Sequence, residues 1–436
     1  MAAIRLRLRA AHAEAGFAMA GYAASSAYWL ALAFALSADA YGRMMTIQAA
    51  VLMVVSALTF RTHDLFFNLV TQHAQPPQRA YRIARRCEAL AAALATVAIS
   101  VGAAFVYAPE ANLTALLGTM GFALLASVGA NQGAAIGSLR QIGRGDVIAR
   151  TEAVTAAAWG LACLSIVALR DAPVVVPLIV GAAPPSLRAI LLAGRVRALS
   201  WRQAAGPLAL QRSETKTLMR FLGGAQITNF LKNGAVSIET LILAAFASPA
   251  VVAMYRVARA ALGATLAALN VAYQRAYPVL AKAGSVEQRR TAMTGLRRRS
   301  LAICLVTYPL AAALALGYAL LKPGVGVVEL QLLTAGTFLA LVPAALQQGA
   351  FALLSLRGDH RSANTAYLLW FGVIGLGALL LTRWPAIEVF MAAIIAAALA
   401  RLWYFAARAR ATSGMVPAVP STDAAPGAAP DVAPAE

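Results

Sequence analysis

The chain reads as long apolar blocks separated by short polar breaks. A bilayer core of about 30 Å is crossed by about 20 apolar helical residues at 1.5 Å each. Twelve stretches meet that length: 16–36, 41–60, 87–108, 113–137, 151–170 and 173–194, then 221–246, 250–274, 300–321, 327–355, 363–382 and 385–406. The pattern predicts an all-α polytopic membrane protein of twelve transmembrane helices.

Composition agrees with the pattern. Of 436 residues, 61% are hydrophobic and 12% charged, and mean hydropathy is +0.70. Soluble chains carry about 25% charged residues, and so few charges cannot clothe a water-facing surface of this size. A soluble enzyme and a disordered chain are both excluded. The formal charge of +20 is compatible with nucleic acid, anionic lipid or membrane topology until it is mapped. With the N-terminus in the cytoplasm, and residues near a span end counted with the adjoining segment, inner segments hold 29 of the 37 basic residues, outer loops four and span interiors four. That alternation follows the positive-inside rule and puts both termini in the cytoplasm. It also argues against nucleic acid, because the basic residues are spread over seven inner segments. The first apolar segment lacks a cleavage pattern. Cys87, Cys163 and Cys304 read as small apolar fillers, and no spacing predicts a metal site or a cofactor.

A repeat divides the chain. Asn131-Gln132-Gly133-Ala134, Ser138-Leu139-Arg140 and Gly145-Asp146 reappear as Gln347-Gln348-Gly349-Ala350, Ser355-Leu356-Arg357 and Gly358-Asp359, offset by about 216. The stretch from Tyr41 to Arg61 matches that from Tyr255 to Arg275 at an offset of 214. Two matches at nearly one offset, in corresponding spans, indicate a 6+6 repeat. Six is even, so both halves enter from the same side and are related by a pseudo-twofold axis along the membrane normal. The expected organisation is a six-helix bundle at 1–194, a basic cytoplasmic linker at 195–220, a second bundle at 221–411 and an Ala/Pro-rich disordered tail at 412–436.

Ionisable residues inside spans are costly and mark candidate pathways. Span 7 carries Asn229, Lys232, Asn233 and Glu239, and span 8 carries Arg256 and Arg259. Lys232 and Glu239 share a helical face, and Lys232 lies near the midplane. Glu239 and Arg256 are equally deep on either side of the turn at Ser248-Pro249, so an ion pair between them is expected. Two readings stay open: Arg256 snorkels and pairs to hold two helices together, or Lys232, Arg256 and Arg259 line a water-filled cavity that attracts an anion. Arg188, in span 6, reads as snorkelling or as part of that cavity. Glu239 is read as the only acidic residue deep in any span, serving either as a structural partner or in coupling to protons or sodium. Asn131 and Gln132 in span 4, and Gln347 and Gln348 below Pro343 in span 10, mark polar breaks that bond neighbouring helices or line the cavity. Four positive charges against one negative suit an anionic head group better than a cationic drug.

The stretch from Arg220 to Ala281 carries a resemblance. Its elements are Arg220-Phe221-Leu222-Gly223, Ser237-Ile238-Glu239-Thr240, Ser248-Pro249, Val252-Ala253-Met254-Tyr255-Arg256-Val257-Ala258-Arg259 and Tyr277-Pro278-Val279-Leu280-Ala281. It resembles spans 7 and 8 of bacterial polysaccharide flippases, in the superfamily that also holds multidrug-and-toxin extruders and the peptidoglycan-precursor flippase. The match covers about 60 residues; elsewhere it rests on architecture. It implies a V-shaped pair of bundles in the bacterial inner membrane. Alternating access would move undecaprenyl-pyrophosphate-linked oligosaccharide to the outer leaflet, with polysaccharide polymerase and glycosyltransferases as partners. Twelve spans depart from the fourteen usual in the peptidoglycan-precursor branch. Spans 1–6, read as free of acidic residues, depart from the drug-extruder branch.

The alternatives are a drug or metabolite exporter on the same fold, which the positive cavity disfavours, and a membrane-embedded polymerase or ligase. The second would be expected to carry a substantial outer loop. No outer loop exceeds about eight residues, and there is no Asp-x-Asp pair or nucleophile–base set, so an enzyme is not predicted.

Overall fold

The computed structural model of the chain describes residues 2–71, 75–107, 109, 112–198, 212–282, 285–356 and 359–412. Residues 199–211 of the predicted linker, nearly all of the predicted tail and Arg357-Gly358 of the repeat lie outside these. The described residues are almost wholly helical, with no strand. The first helices are α1 (Ala2–Ala35), α2 (Ala38–Leu58), α3 (Thr62–Thr71), α4 (Pro77–Tyr107), α5 (Leu113–Ala130), α6 (Gly133–Gln141), α7 (Gly145–Leu164), α8 (Ile166–Leu169) and α9 (Val175–Arg197). Then follow α10 (Arg212–Phe246), α11 (Pro249–Ala261), α12 (Gly263–Lys282), α13 (Val286–Leu321), α14 (Val327–Leu346), α15 (Gln348–Leu356), α16 (His360–Arg383) and α17 (Ile387–Thr412).

Local chemistry sets the ends. Ser37 and Asn112 accept the Ala40 and Ala115 amides at 3.2 and 3.0 Å and start α2 and α5. Pro249 opens α11 behind Ser248, where its missing N–H costs nothing. Gly143, at φ 74°, turns α6 into α7 in a conformation that side chains disfavour. Both polar breaks are present. α5 stops at Asn131, and α14 stops at Gln347, four residues after Pro343. The acids of the repeat start equivalent helices: Asp146 lies in the first turn of α7 and Asp359 caps α16.

Ten segments among the described residues are long and apolar enough to cross a membrane. The pair α11–α12, bent by 41°, makes eleven. The described residues therefore give ten to eleven such segments where twelve are expected. The remaining predicted segment is α10, which is long enough at 35 residues but carries Asn229, Lys232, Asn233 and Glu239 within it. Large apolar side chains such as Phe105, Val167, Leu320, Val328 and Trp403 face outward, as a lipid environment requires and water does not favour.

Packing repeats along the chain. Early on, α1 packs on α7, α5 on α9, α4 on α5, α7 on α9, and α2 on both α4 and α5. Later, in the same order, α10 packs on α16, α14 on α17, α13 on α14, α16 on α17, α12 on α13 and α11 on α14. The two sets meet chiefly where α2 packs on α10 and α11, and where α1 packs on α11 and α12. At that seam a Cβ on Gly42 would lie 1.8 Å from the Pro249 carbonyl oxygen, so glycine alone allows the approach. Lys322 Nζ donates to the Leu36 carbonyl at 2.8 Å, and Phe34 meets Tyr318 edge-on at 5.2 Å. The seam is thereby closed at the end where α1 gives way to α2.

The Asp359 cap is testable. Burial alone would raise its carboxyl, but hydrogen bonds from Ser362 and the charge of Arg408 outweigh burial and hold it below the usual carboxylate range. Its stabilising effect is therefore present above that range and lost as pH falls through the depressed value. Asp359→Ala should lower stability in detergent by about 1 kcal/mol at neutral pH. The gap to the unchanged protein should narrow on acidification in paired thermal melts.

Candidate functional site

A cavity of about 230 Å³ opens among α10, α11, α12, α14, α15, α16 and α17. Every residue that lines it comes from the later set of helices. Its polar walls are Lys232, Glu239, Arg259, Asn270, Gln347, Gln348 and Arg401; Tyr273, Phe351, Tyr367 and Trp370 supply aromatic surface. The break between α14 and α15 puts Gln347 and Gln348 at the wall, because a helix interrupted below Pro343 turns side chains inward that a straight helix would distribute around its axis.

The carboxylate in this cavity is already committed. Glu239 is 4% exposed. Its Oε2 accepts a short hydrogen bond from the Tyr255 hydroxyl and lies 3.6 Å from Arg259 Nη1. This corrects the expected Glu239–Arg256 pair. Equal depth on adjacent helices is necessary for a pair, but direction around the axis decides it, and residues three apart differ by about 60°. Arg259 therefore faces α10, while Arg256 faces the seam. There Arg256 Nη2 donates to Gln48 Oε1 at 2.6 Å and its Nε to Met45 Sδ at 3.3 Å. Arg256 is a contact between the two sets of helices and does not line the cavity.

Two cations are left without a carboxylate. Among the described residues none lies within ion-pair distance of Lys232 or Arg401. Lys232 Nζ sits 5.5 Å from the centre of the Phe351 ring. Arg401 lies 5.2 Å from the centre of the Tyr367 ring and donates from Nε to Gln347 Oε1 at 3.0 Å. Arg401 is the residue that sequence reading missed. It falls inside the stretch 385–406 yet was counted with the cytoplasmic charge; comparing its position with the span boundary would have found it.

The other expected residues lie elsewhere. Asn229 Nδ2 donates to the Thr59 carbonyl at 2.9 Å across the seam, and Asn233 donates to Asn229 at 2.8 Å. Asn131 Nδ2 bonds its own helix at Ser127. Gln132 Oε1 accepts from Arg188 Nη1 at 2.6 Å, and Arg188 Nη2 makes a short ion pair with Glu152. None of these lines the cavity.

The expectation that the first six spans lack acidic residues is also corrected. Glu152 and Glu88 are both buried. Glu88, fully enclosed, accepts from Thr62 Oγ1 at 2.7 Å, the Ala134 amide at 2.7 Å and Arg85 Nη1 at 2.8 Å. It binds the starts of α3 and α6 together, where a Cβ on Gly133 would meet Thr62 Oγ1 at 2.5 Å. Both acids sit one residue inside the predicted span boundaries, where they read as interfacial. The breaks in the chain make them internal.

No protein-family model matches the chain, and no curated protein matches it. Solved structures do. A MATE transporter in a bent conformation aligns over 93% of this chain and 97% of its own, with a TM-score of 0.60 at 13% identity. A MOP-superfamily transporter from Pyrococcus furiosus, described as having a binding pocket of reverse polarity, covers 93% and 96%, at 0.60 and 14%. A mutant Vibrio cholerae MATE transporter covers 94% and 99%, at 0.55 and 17%. The chain has the fold of MATE transporters in a multi-pass membrane protein.

Breaking the Glu239–Arg259 contact should expose its role. Arg259→Ala leaves a buried carboxylate held by Tyr255 alone and should cost about 3 kcal/mol. Adding Glu239→Gln should recover much of that loss, as a double-mutant cycle of unfolding in detergent would read.

Proposed function

We propose that the chain is a flippase that moves a lipid-linked oligosaccharide with an anionic, undecaprenyl-pyrophosphate head from the inner to the outer leaflet of a bacterial inner membrane, for surface polysaccharide assembly. The observation that carries this reading is the cavity's charge. Lys232, Arg259 and Arg401 face it, and its carboxylate is taken by Tyr255 and Arg259. Such a surplus in a low-dielectric site favours an anion and opposes a cation. The fold supports transport in place of catalysis, and the resemblance around spans 7 and 8 supplies the substrate class. Twelve crossings, two six-helix bundles and cytoplasmic termini complete the proposal. The repeated packing and the basic inner loops support them. Alternating access would then be a rocking of the two bundles about the seam.

The second reading is an exporter of a drug or metabolite, and the neighbouring MATE transporters favour it through the shared fold. Coupling to protons or sodium through Glu239 belongs to either reading. Glu88 and Glu152 do not strengthen the exporter, because internal donors already use both.

Lys232 separates the readings, because among the described residues no carboxylate lies within ion-pair distance of it. In a strain whose surface polysaccharide depends on this chain, Lys232→Ala should reduce polysaccharide strongly and Lys232→Glu should abolish it, with membrane levels unchanged on immunoblots. Undiminished polysaccharide in both variants contradicts an anionic cargo.

A further inference from the structure

The two breaks are built alike and finished differently. In each set of helices an arginine on the last long helix reaches a glutamine at the break: Arg188 on α9 to Gln132, and Arg401 on α17 to Gln347. The arginines are 213 residues apart, close to the offset of the repeat. The first bond uses the second residue of Asn131-Gln132; the second uses the first of Gln347-Gln348. The third member of each group differs. On α7, Glu152 pairs with Arg188. On α16, 215 residues later, Tyr367 offers Arg401 only the face of its ring.

We propose that Arg401 and Lys232 form a clamp for a phosphate-type oxyanion, and that Arg188 is the same device silenced by Glu152. This rests on the flippase reading and deepens it by assigning the residues that grip the anion. The glutamine and the ring hold the Arg401 guanidinium on two sides and leave charged N–H groups for a guest. A guanidinium matches phosphate oxygens two at a time. Lys232, set over Phe351, adds a mobile point charge to the same cavity. The other charges near Arg401 are Arg259 and Glu239, and those two are engaged with each other. Arg61 and Asp64, paired with each other at 2.5 Å, are both within electrostatic reach of Lys232. Glu152 gives Arg188 a permanent internal anion, so the earlier set of helices has a staple where the later one has a site.

The test is equilibrium binding by calorimetry to the full-length protein in detergent. Two probes separate the sources of the oxyanion: inorganic pyrophosphate for the lipid-carrier head, and glucuronate for an acidic sugar. The protein should bind pyrophosphate saturably and more tightly than glucuronate. Arg401→Ala should weaken it about tenfold or more, and Arg401→Lys by less. Tyr367→Glu supplies the missing counter-charge without removing Arg401 and should weaken binding equally, which keeps the test sound if Arg401→Ala misfolds. Arg188→Ala should lower thermal stability and leave affinity unchanged. Unchanged affinity in folded Arg401→Ala or Tyr367→Glu overturns the clamp alone. Tighter binding of glucuronate overturns its assignment to phosphate. Failure of the unaltered protein to bind either probe overturns both the clamp and the flippase reading.

Discussion

A charge inside a membrane protein has no water to fall back on, and it must find its partner within the fold. Most of the polar architecture here follows from that constraint. Glu88 collects a hydroxyl, a backbone amide and a guanidinium and so ties two helix starts together. Glu152 meets Arg188, Glu239 meets Tyr255 and Arg259, and Arg256 meets Gln48 and Met45 across the seam. Each pairing places helices relative to one another. Lys232 and Arg401 rest instead on aromatic faces and a glutamine, and both face the cavity.

Under the proposed clamp, the two sets of helices divide structural and recognition roles. Around the first break, Glu88 pairs with Arg85 and Glu152 pairs with Arg188. Around the second, the corresponding wall is aromatic, and positive charge is left facing an open space.

Much of this was legible in the sequence. The apolar blocks locate the helices, and the repeated Gln-Gly-Ala motifs locate both breaks. Lys232, Arg259, Glu239, Gln347 and Gln348 were singled out and do share one cavity. What could not be read was direction. Depth along a helix follows from counting residues, but whether Arg256 or Arg259 faces Glu239 depends on how α11 is rotated against α2 and α10. Span boundaries hid the rest. Glu88, Glu152 and Arg401 lie within a few residues of the predicted ends, and hydropathy cannot say whether a broken helix folds such a residue inward. Span 7 shows the same limit, since the polar residues that single it out as a candidate also lower its apparent fitness to cross.

The proposed function is transfer of an anionic lipid from one leaflet to the other. Its most direct test is leaflet exchange in vesicles containing the purified protein, with a short-chain polyprenyl diphosphate bearing a fluorophore and a membrane-impermeant quencher. A flippase for the anionic lipid should give rapid loss of the protected fluorescence for the diphosphate and little for a neutral polyprenol analogue. Equal rates with and without the protein, or faster exchange of the neutral analogue, would contradict it.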